Sequence, residues 1–201
     1  MMVTTHALAG LALAAGVTVL APELGTLPVL AAAAGGLAPD VDLVGAHRRT
    51  LHFPVYGTLA AVPAVALALA APGPLTAAVA LFVVAAALHA ASDVLGSGLE
   101  LRPWEGTSDR AVYDHLRGRW LAPRRLVRYD GAPEDVLVGI ALAVPSLLVF
   151  DGPVETLVVA ALGVSVAYAV VRKSLPTVAE RAVAALPEGL RDPVAEWVLD
   201  D

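Results

Sequence analysis

Long apolar stretches alternate with short polar interruptions along the chain, and this pattern predicts a bundle of membrane-spanning helices. Six stretches are apolar, with approximate bounds 3–20, 27–38, 54–71, 75–95, 134–150 and 153–171. A helix needs about 20 mostly apolar residues to cross a bilayer, so the twelve residues of the second stretch are few for an upright crossing. That segment either re-enters the bilayer or crosses it with polar neighbours buried in protein.

Composition supports membrane insertion and sets the domain organisation. The 201 residues are 58% hydrophobic and only 16% charged, whereas a soluble domain carries about 25% charged residues. The first stretch is preceded by no Lys or Arg, which favours a retained helix over a cleaved signal peptide. We expect one membrane domain over residues 1–173, with a polar loop at 96–133, and an amphipathic tail over residues 174–201.

The positions of the basic residues predict the orientation in the membrane. All thirteen Lys and Arg residues fall within 39–53, 96–133 and 172–201. If six segments alternate, these three parts lie on one side, which the positive-inside rule identifies as the cytoplasm. We therefore expect a multi-pass protein of the cell (inner or plasma) membrane with both termini in the cytoplasm. The net charge of −6 argues against a nucleic-acid partner.

The long polar loop carries a spacing that favours one more helix. Ser108 can cap a helix whose apolar stripe is Val112, Leu116 and Trp120. Such a helix lies either at the membrane interface or as an ordinary surface helix over the bundle. The neighbouring Asp114 and His115 are expected to be a solvated pair. The complete fold prediction is all-α: about six membrane segments, one of them short, with a cytoplasmic interfacial helix and an amphipathic tail.

Side chains of the metal-ligand type gather on the cytoplasmic side of this topology, although the topology was built only from Lys and Arg. They are His6, Asp40, Asp42, His47, His52, His89 and Asp93. The chain contains no cysteine, so a metal ion would be held by imidazole and carboxylate. Such ligands suit Zn, Mn, Fe or Mg.

Two parts of this cluster are the most informative. His89 and Asp93 are four residues apart on a predicted span, so they share a helix face. A carboxylate in a span usually faces a partner or a water-filled cavity, although an internal hydrogen bond that serves packing is also open. Arg48 and Arg49 follow His47 and could hold a phosphate or another anion. They could equally mark topology and contact lipid headgroups.

The order of the motifs resembles a known family. The motifs are Thr5-His6, Pro39-Asp40-x-Asp42, His47-Arg48-x-x-x-His52 and His89-x-x-x-Asp93 followed by Gly98 and Pro103. Over roughly residues 1–105 the chain is similar to the YdjM-like family of inner-membrane metal-dependent hydrolases, which is distantly similar to zinc-dependent phospholipase C. The family pattern has Thr directly before the second histidine and Ser after it. Here Thr50 is one place early, and Leu51 and Phe53 flank the histidine.

The resemblance implies a membrane-bound hydrolase of a phosphoester or similar anionic substrate, either a small molecule or a lipid, at the cytoplasmic surface. It implies a divalent metal, with zinc favoured over Mn, Fe or Mg. The implied ligands are His6, Asp40, Asp42, His52, His89 and Asp93. His47 would act as a further ligand or general base, and Arg48 would steady the anionic group.

Two other functions fit the same residues. A transporter for metal ions or protons also places carboxylates and histidines in its spans. The crowding of these residues at one side argues against it. A non-catalytic membrane protein could use a metal, or a hydrogen-bond network alone, to hold its helices together.

Overall fold

Helices dominate the structure, a computed structural model that describes residues 1–199. Six helices agree with the six predicted apolar stretches to within a few residues: α1 (Val3–Leu20), α2 (Leu27–Leu37), α3 (Pro54–Ala70), α4 (Pro74–Ser92), α5 (Pro133–Val149) and α6 (Pro153–Val171). Two more, α7 (Leu175–Ala184) and α8 (Glu188–Leu199), occupy the predicted tail. Residues 200 and 201 of that tail lie outside the described part.

Proline and glycine explain where the helices begin and end. Pro54, Pro74, Pro133 and Pro153 each stand at the first position of a helix. A proline costs no hydrogen bond there, because the first N–H groups of a helix have no partner within it. Gly152, with φ +66°, closes the short turn between α5 and α6 in a backbone conformation that L residues rarely adopt.

Helix α1 lies at the centre of the bundle. It packs against α2 and α4 on one side and against α5 and α6 on the other, while α3 packs against α4. The shared core contains Leu8, Leu11, Val29, Leu81, Ala143 and Val158. Glycines let the central helices approach closely: a Cβ at Gly36 would overlap the carbonyl oxygen of His6, and one at Gly35 would overlap that of Phe82. Close backbone packing of this kind is typical of helices in lipid.

The apolar helices support membrane association. Three helical stretches are long and apolar enough to cross a membrane: Val3–Leu20, Pro74–Leu95 and Pro153–Ala184. Only 11% of the most apolar window of the third is buried inside the protein, as expected for a surface that faces lipid. The expectation of six crossings is not met by length alone, because α2, α3 and α5 have 11, 17 and 17 residues.

One end of the bundle collects the polar connections. The start of α1 contacts the start of α5 through Met2 and Asp135, and α1 contacts the end of α4 through His6 and Asp93. The end of α4 in turn contacts the end of α2 through His89 and Gly36. The starts of α1, α3 and α5 and the ends of α2, α4 and α6 therefore lie together.

The interfacial helix predicted between Ser108 and Trp120 is wrong. The structure has an antiparallel hairpin there, with β1 (Val112–Asp114) paired to β2 (Arg119–Leu121). Gly118, with φ +63°, favours a turn at the point where the predicted helix would have continued. Tyr113 and Trp120 face each other across the strands with ring centroids 5.5 Å apart. The four-residue apolar spacing fitted a helix by coincidence, and Leu116 is exposed.

Asp114 also departs from its expected solvated position. Its side chain is fully buried in the hairpin. One carboxylate oxygen accepts hydrogen bonds from the backbone N–H groups of Leu116 and Arg117, and the other accepts one from the Arg117 guanidinium at 2.8 Å. Asp114 therefore stabilises the turn that replaces the helix, since an aspartate readily bonds to backbone groups two or three residues ahead.

Candidate metal centre

Four side chains converge at the polar end of the bundle, each offering one ligand atom. Asp40, His52, His89 and Asp93 place these atoms within 4.8 Å of one another. Asp40 lies in the 3-10 turn (Ala38–Val44) that follows α2, and His52 lies two residues before α3. His89 is in the last turn of α4, and Asp93 begins the 3-10 turn after it. Residues far apart in sequence therefore form one compact group.

The spacing of the ligand atoms suits a four-coordinate ion. His52 Nε2 lies 3.6 Å from Asp40 Oδ1 and 3.2 Å from Asp93 Oδ2. His89 Nε2 lies 3.3 Å from Asp40 Oδ1 and 3.5 Å from Asp93 Oδ2. Ligands arranged tetrahedrally at roughly 2.0–2.1 Å from an ion lie about 3.3–3.4 Å from one another. These four of the six separations lie close to that value, and all six are within 4.8 Å.

The other nitrogen of each imidazole fixes which nitrogen faces the group. His89 Nδ1 lies 2.7 Å from the carbonyl oxygen of Gly36, which can only accept, so Nδ1 carries the proton. His52 Nδ1 likewise donates to Asp42 Oδ2 at 3.0 Å. In the neutral imidazoles the lone pairs are then on Nε2, and both Nε2 atoms are buried without a hydrogen-bond partner among residues 1–199. A backbone or carboxylate acceptor behind each ring is the usual support of a metal-bound histidine.

Asp42 supports the group and is not one of its four members. Its two oxygens are engaged by His47 Nδ1 at 2.9 Å and His52 Nδ1 at 3.0 Å. The backbone N–H of Leu51 adds a third bond at 3.1 Å. Burial by itself raises the pKa of the Asp42 carboxyl, but the hydrogen bonds from the two histidines outweigh it and hold the pKa well below its usual range. Asp42 is thus an ionised acceptor that orients two imidazoles.

Three carboxylates surround the ring of His52. Burial alone would lower the pKa of His52, yet the three carboxylates around the ring raise it to about 10. The pKa of Asp40 is held below its usual range in spite of burial, because His52 and His89 lie against it. The surroundings of His52 therefore stabilise a positive charge, which either a proton or a metal ion supplies.

His6 lies beside the group rather than in it. Its ring stacks on the ring of His89 with centroids 3.7 Å apart. Its Nε2 lies 3.2 Å from Asp93 Oδ1, the oxygen that does not face the other two imidazoles. The structure therefore places His6 where it fixes the orientation of His89 and Asp93.

His47 and Arg48 line a cavity of about 500 Å³ that also reaches Asp40. His47 is partly exposed, and its Nδ1 is held by Asp42. Arg48 is more occupied than the sequence suggested: its guanidinium donates to the carbonyl oxygens of Ser97 and Ala111 at 2.7 and 3.4 Å. Arg48 also adopts a φ of +57°. It therefore holds the loop before α3 against the two segments that follow α4.

Two polar clusters were missed by the sequence analysis. Asp135, at the start of α5, is fully buried and accepts hydrogen bonds from Met2 N and Thr5 Oγ1. Asp130 accepts hydrogen bonds from the Tyr168 hydroxyl and from Arg172 Nε. A signal for the first was Thr5 in an otherwise apolar helix. The cluster around Asp130 had no such signal in the sequence, because Asp130 lies in a loop while Tyr168 and Arg172 lie at the end of α6.

The four side chains can bind a divalent ion through two carboxylate oxygens and two imidazole nitrogens. One of them, Asp40, also lines the neighbouring cavity. Comparison of the protein with protein-family models, with curated proteins and with solved structures found no match.

Proposed function

We propose that the protein is a metal-dependent hydrolase of the cell membrane that acts on a phosphoester or similar anionic substrate at the cytoplasmic surface. One observation carries the proposal: two buried Nε2 atoms without hydrogen-bond partners face two carboxylate oxygens at 3.2–3.6 Å. A divalent ion in such a centre supplies Lewis-acid activation of the ester and of water. The motif order, which resembles the YdjM-like hydrolases, supports the same proposal.

Some of these residues would be metal ligands, and others orient those ligands. Asp40, His52, His89 and Asp93 would hold the ion, for which Zn is the first choice and Mn, Fe or Mg are alternatives. Asp42 and the Gly36 carbonyl fix the two rings, and the stacked His6 ring restrains His89.

His47 is the proposed general base. It lines the cavity, and its Nδ1 is bonded to Asp42, so its other nitrogen is the one free to take a proton. A carboxylate-oriented histidine is the commonest side chain in this role.

The proposed topology has six membrane segments with both termini and the site in the cytoplasm. The gathering of the helix starts and ends at the end that holds the basic residues supports it. The chain contains no cysteine, so single cysteines can be placed without background. A membrane-impermeant maleimide should label Glu23→Cys and Asp151→Cys from outside intact cells, and Arg117→Cys only after permeabilisation. Labelling of Arg117→Cys in intact cells would reverse the orientation.

The hydrolase itself is tested by turnover. The purified protein is stripped with a chelator, reloaded separately with Zn, Mn, Fe or Mg, and assayed on phosphomonoesters and phosphodiesters, both soluble and lipid-linked. We expect hydrolysis that returns with one of these metals and falls by at least about a hundredfold in His47→Gln, which retains the four proposed metal ligands. Failure of every metal-loaded form to hydrolyse any member of the panel rules out the proposal.

A second function is favoured by one specific observation. Four protein side chains would fill every position of a four-coordinate site, and closed sites of this kind are usually structural. In that case the ion holds α2, α3 and α4 together without catalysis. Metal removal would then lower the unfolding temperature (Tm) sharply, while no substrate in the panel would be turned over by the loaded protein.

A further inference from the structure

The cavity that reaches Asp40 of the metal centre is lined partly by α6, and the side chains of this wall change from apolar to cationic along the helix. Val164, Tyr168 and Arg172 all line it, and their four-residue spacing places them on one face of α6. Arg172 is at the helix end, whereas Val164 lies seven residues before Val171, about 10 Å further into the bundle. The wall therefore runs from apolar to aromatic to cationic.

The opening of the cavity is apolar. Val3 and Leu37, which line it from α1 and α2, are 41% and 42% exposed, and Val41 and Val164 are 67% and 57% exposed. Val3 and Val164 belong to two of the helices that are long and apolar enough to cross a membrane. Next to these residues, Thr4 Oγ1 and Ser165 Oγ are 2.7 Å apart and join the two helices. Exposed apolar side chains at the edge of the cavity favour a molecule from the lipid phase over one from water.

The inner part of the cavity offers cationic groups. Arg48 and Arg172 both line it. Arg172 donates Nε to Asp130 at 2.8 Å, and no hydrogen bond from its terminal nitrogens is found to any other described residue. Two more carboxylates line the cavity besides Asp130. Asp40 belongs to the metal centre, and Glu100 lies 3.9 Å from Arg125 with neither oxygen hydrogen-bonded to a described residue. A guanidinium with free terminal donors suits a phosphate or phosphonate oxygen.

We propose that this cavity binds a phosphate-bearing amphiphile, which enters from the bilayer past the exposed side chains of Val3 on α1 and Val164 on α6. Its anionic head lies between Arg172 and the metal centre, and its alkyl chain leaves past Val3 and Val164. The volume of about 500 Å³ is within the usual range for a small-molecule site. This inference rests on the proposed function in one respect: the phosphate head is taken to be the group that is hydrolysed. It narrows the substrate class from any phosphoester or similar anion to one that resides in the membrane.

The experiment uses the full chain in phosphatidylcholine nanodiscs with a decylphosphonate that carries a diazirine at its chain end. A phosphonate has no ester bond to hydrolyse, so binding is measured without turnover. After illumination, labelled residues are located by mass spectrometry. We expect saturable labelling centred on the peptides that contain Val3 and Val164. Unlabelled decylphosphonate should compete, whereas methylphosphonate and decyl maltoside at equal concentration should not.

Matched variants test the opening and the head site separately. Val164→Trp should reduce the saturable labelling at least tenfold, because the indole fills the opening. Val159→Trp is the control, since Val159 is 56% exposed on the same helix and lies outside the cavity wall. Arg172→Gln should raise the half-saturating concentration about tenfold, the loss expected for one charge-assisted hydrogen bond. Arg128→Gln, which removes another arginine paired to a carboxylate, should leave it unchanged.

Three results would overturn the inference: equal labelling of α3 and α5, equal competition by methylphosphonate, or equal effects of the two tryptophan variants. Metal content and turnover are measured on the same preparations. Saturable labelling without metal or turnover leaves this binding site standing and removes the proposed function. Bound metal and turnover without localised labelling would leave the proposed function standing and remove this binding site.

Discussion

Two buried aspartates at the same end of the bundle have different surroundings. Asp135 is met by hydrogen-bond donors: Met2 N at 2.7 Å, Thr5 Oγ1 at 2.8 Å and Gly131 N at 3.1 Å. Asp93 Oδ2 is met by two Nε2 atoms that form no hydrogen bond to any described residue, and by Arg48 Nε at 3.7 Å. Its Oδ1 lies 3.3 Å from the Met1 amino group and 3.2 Å from His6 Nε2.

The difference separates a structural carboxylate from a ligand. The donors around Asp135 carry fixed hydrogens, so its charge is satisfied within the protein. If the imidazoles near Asp93 are neutral, lone pairs face lone pairs across 3.2–3.5 Å, and electron-rich atoms this close repel unless a cation or a proton lies between them. Burial alone therefore does not identify an aspartate as a metal ligand. The atoms that face its carboxylate do, since unprotonated imidazole nitrogens leave room for a cation.

The largest expected effect comes from exchanging the two acids for amides. Asp93→Asn should weaken binding of a divalent ion by more than about a hundredfold, because a charged ligand atom is lost from the centre. Asp135→Asn should change it by less than about twofold. Competition titration against a chromophoric chelator measures both. Equal losses in the two variants would mean that the contrast between the sites is wrong.

The next effect concerns the acceptor behind the ring. Asp42→Asn should weaken metal binding by about 10- to 100-fold, since Asp42 fixes the orientation and protonation of His52 without binding the ion. Thr50→Ala is a control in the same loop, as its hydroxyl bonds only to the Ala46 carbonyl. The same titration serves here, and an unchanged affinity in Asp42→Asn would remove its positioning role.

Stability should respond in the opposite way. Asp135→Asn should lower the free energy of unfolding by about 2 kcal/mol, or several degrees in Tm, because one of its donors faces an amide N–H instead of an oxygen. A thermal unfolding scan with and without chelator checks this. The chelator should lower the Tm of Asp135→Asn as much as that of the wild type. A variant insensitive to chelator would show that Asp135 and the metal centre are coupled.

The smallest effect is expected at an exposed ion pair. Arg128 bonds to Glu134 through two nitrogens, but its side chain is 66% exposed. Exposed pairs contribute little to stability, so Arg128→Gln should shift the Tm by no more than about a degree and leave metal binding unchanged. A larger shift in the same thermal scan would indicate that this pair helps to dock α5.

The helices could be predicted because their signals are local. Proline at the first position and an unbroken apolar run define each one, as at Pro54 and Pro153. The hairpin could not, because Val112, Leu116 and Trp120 repeat every four residues while Gly118 and the buried Asp114 decide the outcome. An apolar residue at every fourth position therefore does not by itself predict a helix, because two three-residue strands joined by a turn can show the same spacing.

The site was predicted as a set of residues but not as an arrangement. The expected side of the membrane rests on charge counting and is still a prediction. That His89 and Asp93 share a helix face follows from their four-residue spacing. Which nitrogen of His52 faces the group depends on Asp42, and that of His89 on the Gly36 carbonyl. Both contacts join residues that are separated in the sequence, by 10 and 53 positions, so the spacing of residues does not predict them. The distinction between the four convergent residues and the supporting His6 and Asp42 therefore needed the fold.

Metal stoichiometry of the purified protein tests the central claim most directly. Elemental analysis by mass spectrometry is applied to the wild type, to His89→Ala and to His115→Ala, which removes a histidine of the hairpin outside the group. The account predicts about one divalent ion per chain in the wild type and in His115→Ala, and almost none in His89→Ala. A wild-type protein without bound metal, or an equal metal content in all three, would contradict it.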